Sequence, residues 1–118
     1  MATYLYGIKN CDTVKKARQW LEQHGVEYRF HDFRVDGLDL ALLHRLETSL
    51  GWEAMLNQRG TSWRKLEVTE RENLTKDKAL SLMLAHPTVI KRPVLERDGN
   101  TLIGFSAEHY RQALGLDA

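Results

Sequence analysis

A chain of 118 residues fits one domain with a single core, and its 42% apolar and 28% charged residues mark a folded globular protein, not a disordered or fibrous one. A formal charge of +1 sets no demand for a nucleic acid or an anionic membrane as partner. One cysteine excludes an internal disulfide, and with neither a signal-like start nor an apolar stretch of membrane-spanning length the cytoplasm is the expected compartment.

Thr3 to Ile8 is short, apolar and rich in β-formers, which predicts a strand bounded by Gly7. Thr13 to His24 sets Val14, Ala17 and Leu21 on one helical face and stops at Gly25. Val26 to Phe33 alternates apolar or aromatic with polar residues, as a half-buried strand does, until Asp36-Gly37 breaks the pattern. A βαβ unit is therefore expected to open the chain. From Asp39 to Leu50 the residues Leu42, Leu43, Leu46 and Leu50 recur at helical spacing, and Trp52 to Leu56 reads as a further helical turn. The polar run NQRGTSW, with Arg59-Gly60 inside it, reads as a loop, and Arg71 to Glu72 is ambiguous. Thr75 to His86 predicts another helix through Ala79, Leu80, Met83 and Leu84, closed by Pro87.

The segment KRPVLERDGNTLIGF holds two short β-rich runs around Asp98-Gly99-Asn100, a local hairpin signal. Ser106 can cap a closing helix whose apolar face is Tyr110, Ala113 and Leu114, with Gly115 after it. A right-handed crossover makes the first two strands parallel, whereas the hairpin is antiparallel. The expected fold class is α/β: a thioredoxin-like, four-stranded mixed sheet with a helical insertion between its βαβ and ββα halves.

GIKNCDT places the only cysteine, Cys11, between the first strand and the first helix. The thiolate is the nucleophilic form; free cysteine ionises near pH 8.5, and cysteines at helix N-termini, facing unpaired N–H groups and the positive dipole end, do so at roughly 3.5 to 7.5. Lys15 and Lys16 add positive charge and Asp12 opposes them. Free cysteines are also common as inert core residues. Asn10, Asp12 and Thr13 make this junction polar and cap-like, so both readings stay open on the residues alone.

At GIKNCDTVKKA, with QRGTSW around Arg59 and KRPVL around Arg92-Pro93, the chain resembles the arsenate reductase (ArsC)/Spx family, most closely its YffB-like branch, over essentially its full length. The resemblance implies a single thioredoxin-like domain over residues 1–118 with a helical insertion spanning roughly 37–88. In the family's arsenate reductases a cysteine after the first strand attacks the oxyanion, and arginines from the insertion and from the segment before the third strand bind it. By that correspondence Cys11 is the nucleophile, Arg59 and Arg92 bind an anion or glutathione or stabilise the thiolate, and Pro93 is the proline held in cis beside the sulfur. Asn10 and Thr13 help shape the site. Taken singly, each arginine reads as solvated surface and Pro93 as the start of a strand; their joint occurrence with Cys11 in the family's order gives them the role.

Two departures from the family pattern bear on substrate. Gly104 stands at about the place of the arsenate reductases' third arginine, which disfavours arsenate. Val14 stands three residues after Cys11, so the CxxC of many Spx-type regulators is missing. Oxidised Cys11 then needs an outside thiol, and the expectation is a glutathione-dependent monothiol reductase with no bound cofactor, glutathione as co-substrate, and an oxidised protein or small-molecule disulfide as the other partner. The alternative is a regulatory scaffold, since Spx-type relatives contact RNA polymerase. Neither direct nucleic-acid binding nor membrane binding is expected. The five histidines lack metal-ligand spacing, so no metal site is expected, and Trp20, Trp52 and Trp63 read as packing residues.

Overall fold

The computed structural model describes residues 2–116. The chain forms two compact units: a sheet unit built from the segment up to Asp36 and that from Arg92 onward, and a helical unit from Gly37 to Lys91.

In the sheet unit the strands β1 (Thr3–Gly7), β2 (Arg29–Asp32), β3 (Val94–Arg97) and β4 (Asn100–Ile103) lie in the order β2-β1-β3-β4. β1 pairs in parallel with β2 and antiparallel with β3, and β3 pairs antiparallel with β4. With helix α1 (Asp12–Gln23) crossing from β1 to β2, and the last helix of the chain following β4, this is the thioredoxin-like arrangement expected of the element order. Leu5 and Leu95, paired across β1 and β3, present one sheet face to Ala17, Trp20 and Leu21 of α1 and to Tyr110 and Leu114 of that last helix. These seven buried residues form one core cluster of the unit. The other face carries a ring cluster in which Tyr6 lies 6.1 Å from Tyr4, 5.3 Å from His31 and 6.1 Å from Phe33.

The end of α1 explains why β2 is shorter than the alternation in Val26 to Phe33 predicts. Gly25, at φ +66°, donates its N–H to the Glu22 carbonyl, and Val26 donates to that of Leu21, the bond pair of a Schellman motif. Val26 thus belongs to the helix stop, and the ladder begins only at Arg29. In the hairpin, Asp98 and Gly99 both take positive φ, 53° and 80°, as a two-residue type I′ turn requires.

The helical unit contains α2 (Leu40–Leu50), α3 (Trp52–Met55), α4 (Thr61–Arg64), α5 (Val68–Arg71) and α6 (Lys76–Ala85), then a 3₁₀ turn at Pro87–Val89. Asp39 and Thr75 cap α2 and α6 by accepting the N–H groups of Leu42 (2.8 Å) and Lys78 (3.2 Å). The end of α3 is tied to the segment that closes the unit by a bridge between Leu56 and Ile90 and by hydrogen bonds from Asn57 N to Val89 O (2.8 Å) and from Lys91 N to Met55 O (2.7 Å). Helix α4 begins inside the run expected to be a loop: Trp63 is its one buried residue, so a packing anchor, not a periodic pattern, holds this single turn. Helix α5 resolves the ambiguous stretch through a capping box between Glu67 and Glu70.

The last helix, α7 (Ala107–Leu114), starts on Ser106, which accepts the His109 N–H at 3.3 Å. Its buried residues are Tyr110 and Leu114, while Ala113, expected on the same face, is exposed. At 100° per residue Ala107, Tyr110 and Leu114 form one stripe, and Ala113 falls about a quarter turn from its centre. Among the described residues no helix is long and apolar enough to cross a membrane.

Candidate active site

Cys11 is half-buried and occupies the N-cap of α1 with extended backbone, φ −114° and ψ 125°, and its carbonyl accepts the Lys15 N–H at 3.0 Å. The sulfur takes no capping hydrogen bond, so the backbone of Cys11 starts the helix and its side chain is left for chemistry at the positive end of the dipole. The chain reaches this point through Gly7, where a Cβ would sit 2.8 Å from Val14 Cγ2. Only a glycine lets β1 approach the first turn of α1 so closely.

The strand register gathers further candidate residues at the same end of the sheet. Gly7 ends β1, and Tyr6 faces Val94, the first residue of β3, so Arg92 and Pro93 enter the sheet where β1 leaves it. The Arg92–Pro93 peptide bond is cis; Pro93 is buried and Arg92 half-buried. Val94 faces Ile103, and the Gly104 N–H binds the Pro93 carbonyl at 2.8 Å. Gly104 has φ +84° and no side chain to offer an anion. Asn10 and Thr13, on either side of Cys11, are exposed.

Arg59 belongs to the helical unit, and the other candidates to the sheet unit. It lies exposed in the turn before α4, where its N–H binds Asn57 Oδ1 at 3.1 Å and its carbonyl accepts Arg64 Nη1 at 3.4 Å. Its backbone is thus held within the turn while its guanidinium faces solvent. Such an arginine supplies a permanent, multi-donor cation to an anionic ligand.

One residue of this region escapes the sequence reading. Asp32, at the end of β2, is only 3% exposed. Its Oδ1 accepts the N–H groups of Arg34 (2.8 Å) and Val35 (3.2 Å), and its Oδ2 accepts that of Lys9 at 3.0 Å. Burial pushes this carboxyl up, yet the three backbone donors and the Lys9 charge together outweigh burial and hold it below the ordinary aspartate range. The alternation in Val26 to Phe33 gives Asp32 the place of an ordinary polar strand residue. The signal that could have found it is local: an aspartate just before a turn is a good acceptor for N–H groups two and three residues on.

Beneath the site, Tyr110 donates its buried hydroxyl to the Gly104 carbonyl at 2.9 Å, and burial pushes its phenol well above the ordinary range. Helix α7 is thereby tied to the segment that follows β4.

Comparison with known proteins finds relatives over nearly the whole chain. The ArsC family model matches residues 6–113. An uncharacterized protein of Haemophilus influenzae is 50% identical over 109 residues, 92% of this chain and 96% of its own. The global transcriptional regulator Spx 1 of Lactococcus lactis is 29% identical over 112 residues, 93% of this chain and 87% of its own. Among solved structures, a protein named YFFB superimposes with a TM-score of 0.91 at 50% identity, covering 96% of this chain and 99% of its own. An arsenate reductase (ArsC)-related protein of Brucella melitensis reaches a TM-score of 0.78 at 49% identity, covering 97% and 95%.

Proposed function

Because the chain belongs to the ArsC family, we propose that it is a monothiol reductase that works through Cys11 and is recycled by glutathione. The Cys11 thiolate attacks one sulfur of an oxidised substrate disulfide, forms a mixed disulfide with it, and expels the other sulfur as a thiolate. A glutathione thiolate then attacks the substrate sulfur of that mixed disulfide, which releases the Cys11 thiolate and leaves the substrate bonded to glutathione. Two electrons pass from Cys11 to the substrate disulfide in the first step. In the second, glutathione returns them to Cys11. Arg59 and Arg92 provide positive charge for the glutathione carboxylates and the developing thiolate. Asn10 and Thr13 flank the sulfur, and Pro93 borders the sheet end from which it emerges.

The single observation that carries this reading is the sole thiol of the chain standing, half-exposed and unbonded, as N-cap of α1. A thiol without a second cysteine can complete a disulfide cycle only with an external thiol. Gly104 offers no cation, so arsenate is not the substrate proposed.

Incubation with oxidised glutathione, read by mass spectrometry, tests the proposal. One adduct on Cys11 is expected in the wild type and none in Cys11→Ser. Arg59→Ala and Arg92→Ala should slow adduct formation about tenfold each, the worth of one charge-assisted hydrogen bond. Thiol-transfer activity that survives in Cys11→Ser overturns the reading.

The 29% identity to Spx 1, whose name describes a transcriptional regulator, favours a second reading: a scaffold that binds RNA polymerase. Capture of purified RNA polymerase by wild type and Cys11→Ser alike, with no adduct in either, would put this reading first.

A further inference from the structure

We infer that Asp32 is a positioning residue for Cys11: its carboxylate pins the segment between β1 and α1 and so fixes where the sulfur stands. The inference rests on the reading of Cys11 as the reacting thiol.

The two oxygens of Asp32 do different work. Oδ1 serves the turn of its own segment, through the N–H groups of Arg34 at 2.8 Å and Val35 at 3.2 Å. Oδ2 is not needed there; it reaches across to Lys9 N at 3.0 Å, 23 residues away in sequence. A neutral asparagine or serine could hold such a turn with one oxygen, and burying a carboxylate is costly unless its acceptor sites are filled. The second oxygen and the charge are therefore accounted for by Lys9, not by the turn.

Lys9 stands two residues before Cys11, and the next fixed backbone atom is the Cys11 carbonyl, which accepts the Lys15 N–H at 3.0 Å. Only Asn10 separates these two anchors. On the near side of Lys9, the Gly7 carbonyl accepts the Phe33 N–H at 2.9 Å, so the segment leaves the β1–β2 ladder already bound to residues beside Asp32. The aspartate is fixed in turn: the side chain of Asp36 accepts the Asp32 N–H at 2.9 Å, and the Asp36 N–H binds the Asp32 carbonyl at 2.7 Å. A nucleophile held in this way keeps one approach direction to its target, and a small misplacement of a reacting atom slows reaction strongly.

Asp32→Asn separates the two roles. One amide oxygen can still accept from Arg34 and Val35, which turns the NH₂ group toward the Lys9 N–H, donor against donor. The expected result is amide hydrogen exchange at Lys9 faster by about tenfold or more, with Arg34 little changed, as follows from losing a hydrogen bond to a charged acceptor. Alkylation of Cys11 by iodoacetamide and its reaction with oxidised glutathione should each slow by about tenfold at pH 7. Asp39→Ala, which removes only the α2 cap, is the comparison for lost stability and should leave both Cys11 rates at the wild-type value. Asp32→Ser, whose hydroxyl can serve the turn but is too short to reach Lys9, provides a second variant if the asparagine fails to fold.

Unchanged exchange at Lys9 overturns the inference, and so does faster exchange with wild-type Cys11 rates. If the wild type itself forms no glutathione adduct, the proposed disulfide chemistry falls, and the exchange and iodoacetamide comparisons still decide the role of Asp32.

Discussion

Gly7 shows how a residue without a side chain governs the site. Its neighbour Val14 is fully buried, and an added Cβ would meet Val14 Cγ2 at 2.8 Å, too close for a packed core to absorb without shifting α1. Gly7→Ala is expected to destabilise the protein by about 1–3 kcal/mol, the cost of overpacking, measured by urea unfolding. Val14→Ala in the same chain should recover part of that loss, because it removes the methyl groups that clash; additive single effects would refute the contact. Cys11 was legible from its place between a strand and a helix, and Arg92 and Pro93 from their order in a family pattern. Asp32 was not, because its partner Lys9 is brought to it by the β1–β2 ladder and not by proximity along the chain.

Among the elements, those with their own end signals were the most readable. Asp39, Thr75 and Ser106 each cap the helix their position predicts, Gly25 stops α1, and Asp98-Gly99 turns the hairpin. Elements defined by packing were not. One buried tryptophan holds α4, and α5, a single turn held by its capping box with no fully buried residue, is likewise too short to leave a periodic trace in the sequence. The apparent start of β2 at Val26 was misleading because that residue already completes the bonds of the α1 terminus. Asp39→Ala tests the capping account. It leaves the Leu42 N–H without its 2.8 Å acceptor and should cost about 1 kcal/mol, read as a lower urea midpoint at unchanged m. Asp39→Ser and Asp39→Asn, which restore an acceptor, should recover most of it, and a midpoint indifferent to all three would show the cap to be idle.

For the whole molecule, two buried groups of the sheet unit set opposite limits to stability in pH. Burial opposes ionisation of Asp32, but the N–H groups of Arg34, Lys9 and Val35 and the Lys9 charge prevail and lower its pKa. The folded state then holds the carboxylate more readily than the unfolded chain does. That contribution is present above the unfolded value of about 3.9 and is lost as pH falls through the lower folded value. Tyr110 works at the other limit. Burial raises its phenol, so the folded state resists ionisation, and the stability it holds below about pH 10 declines as pH rises from there toward the folded value. Tyr28, raised chiefly by burial, acts in the same direction. Urea midpoints measured across pH should therefore fall in acid below about pH 4 and in base above about pH 10. Asp32→Asn should flatten the acid limb and leave the alkaline one. Tyr110→Phe should do the reverse, with a uniform loss of about 1 kcal/mol for the hydrogen bond to Gly104. Parallel curves for either variant and the wild type would remove that residue from the account, since a group that does not titrate differently in the folded and unfolded states cannot change the slope.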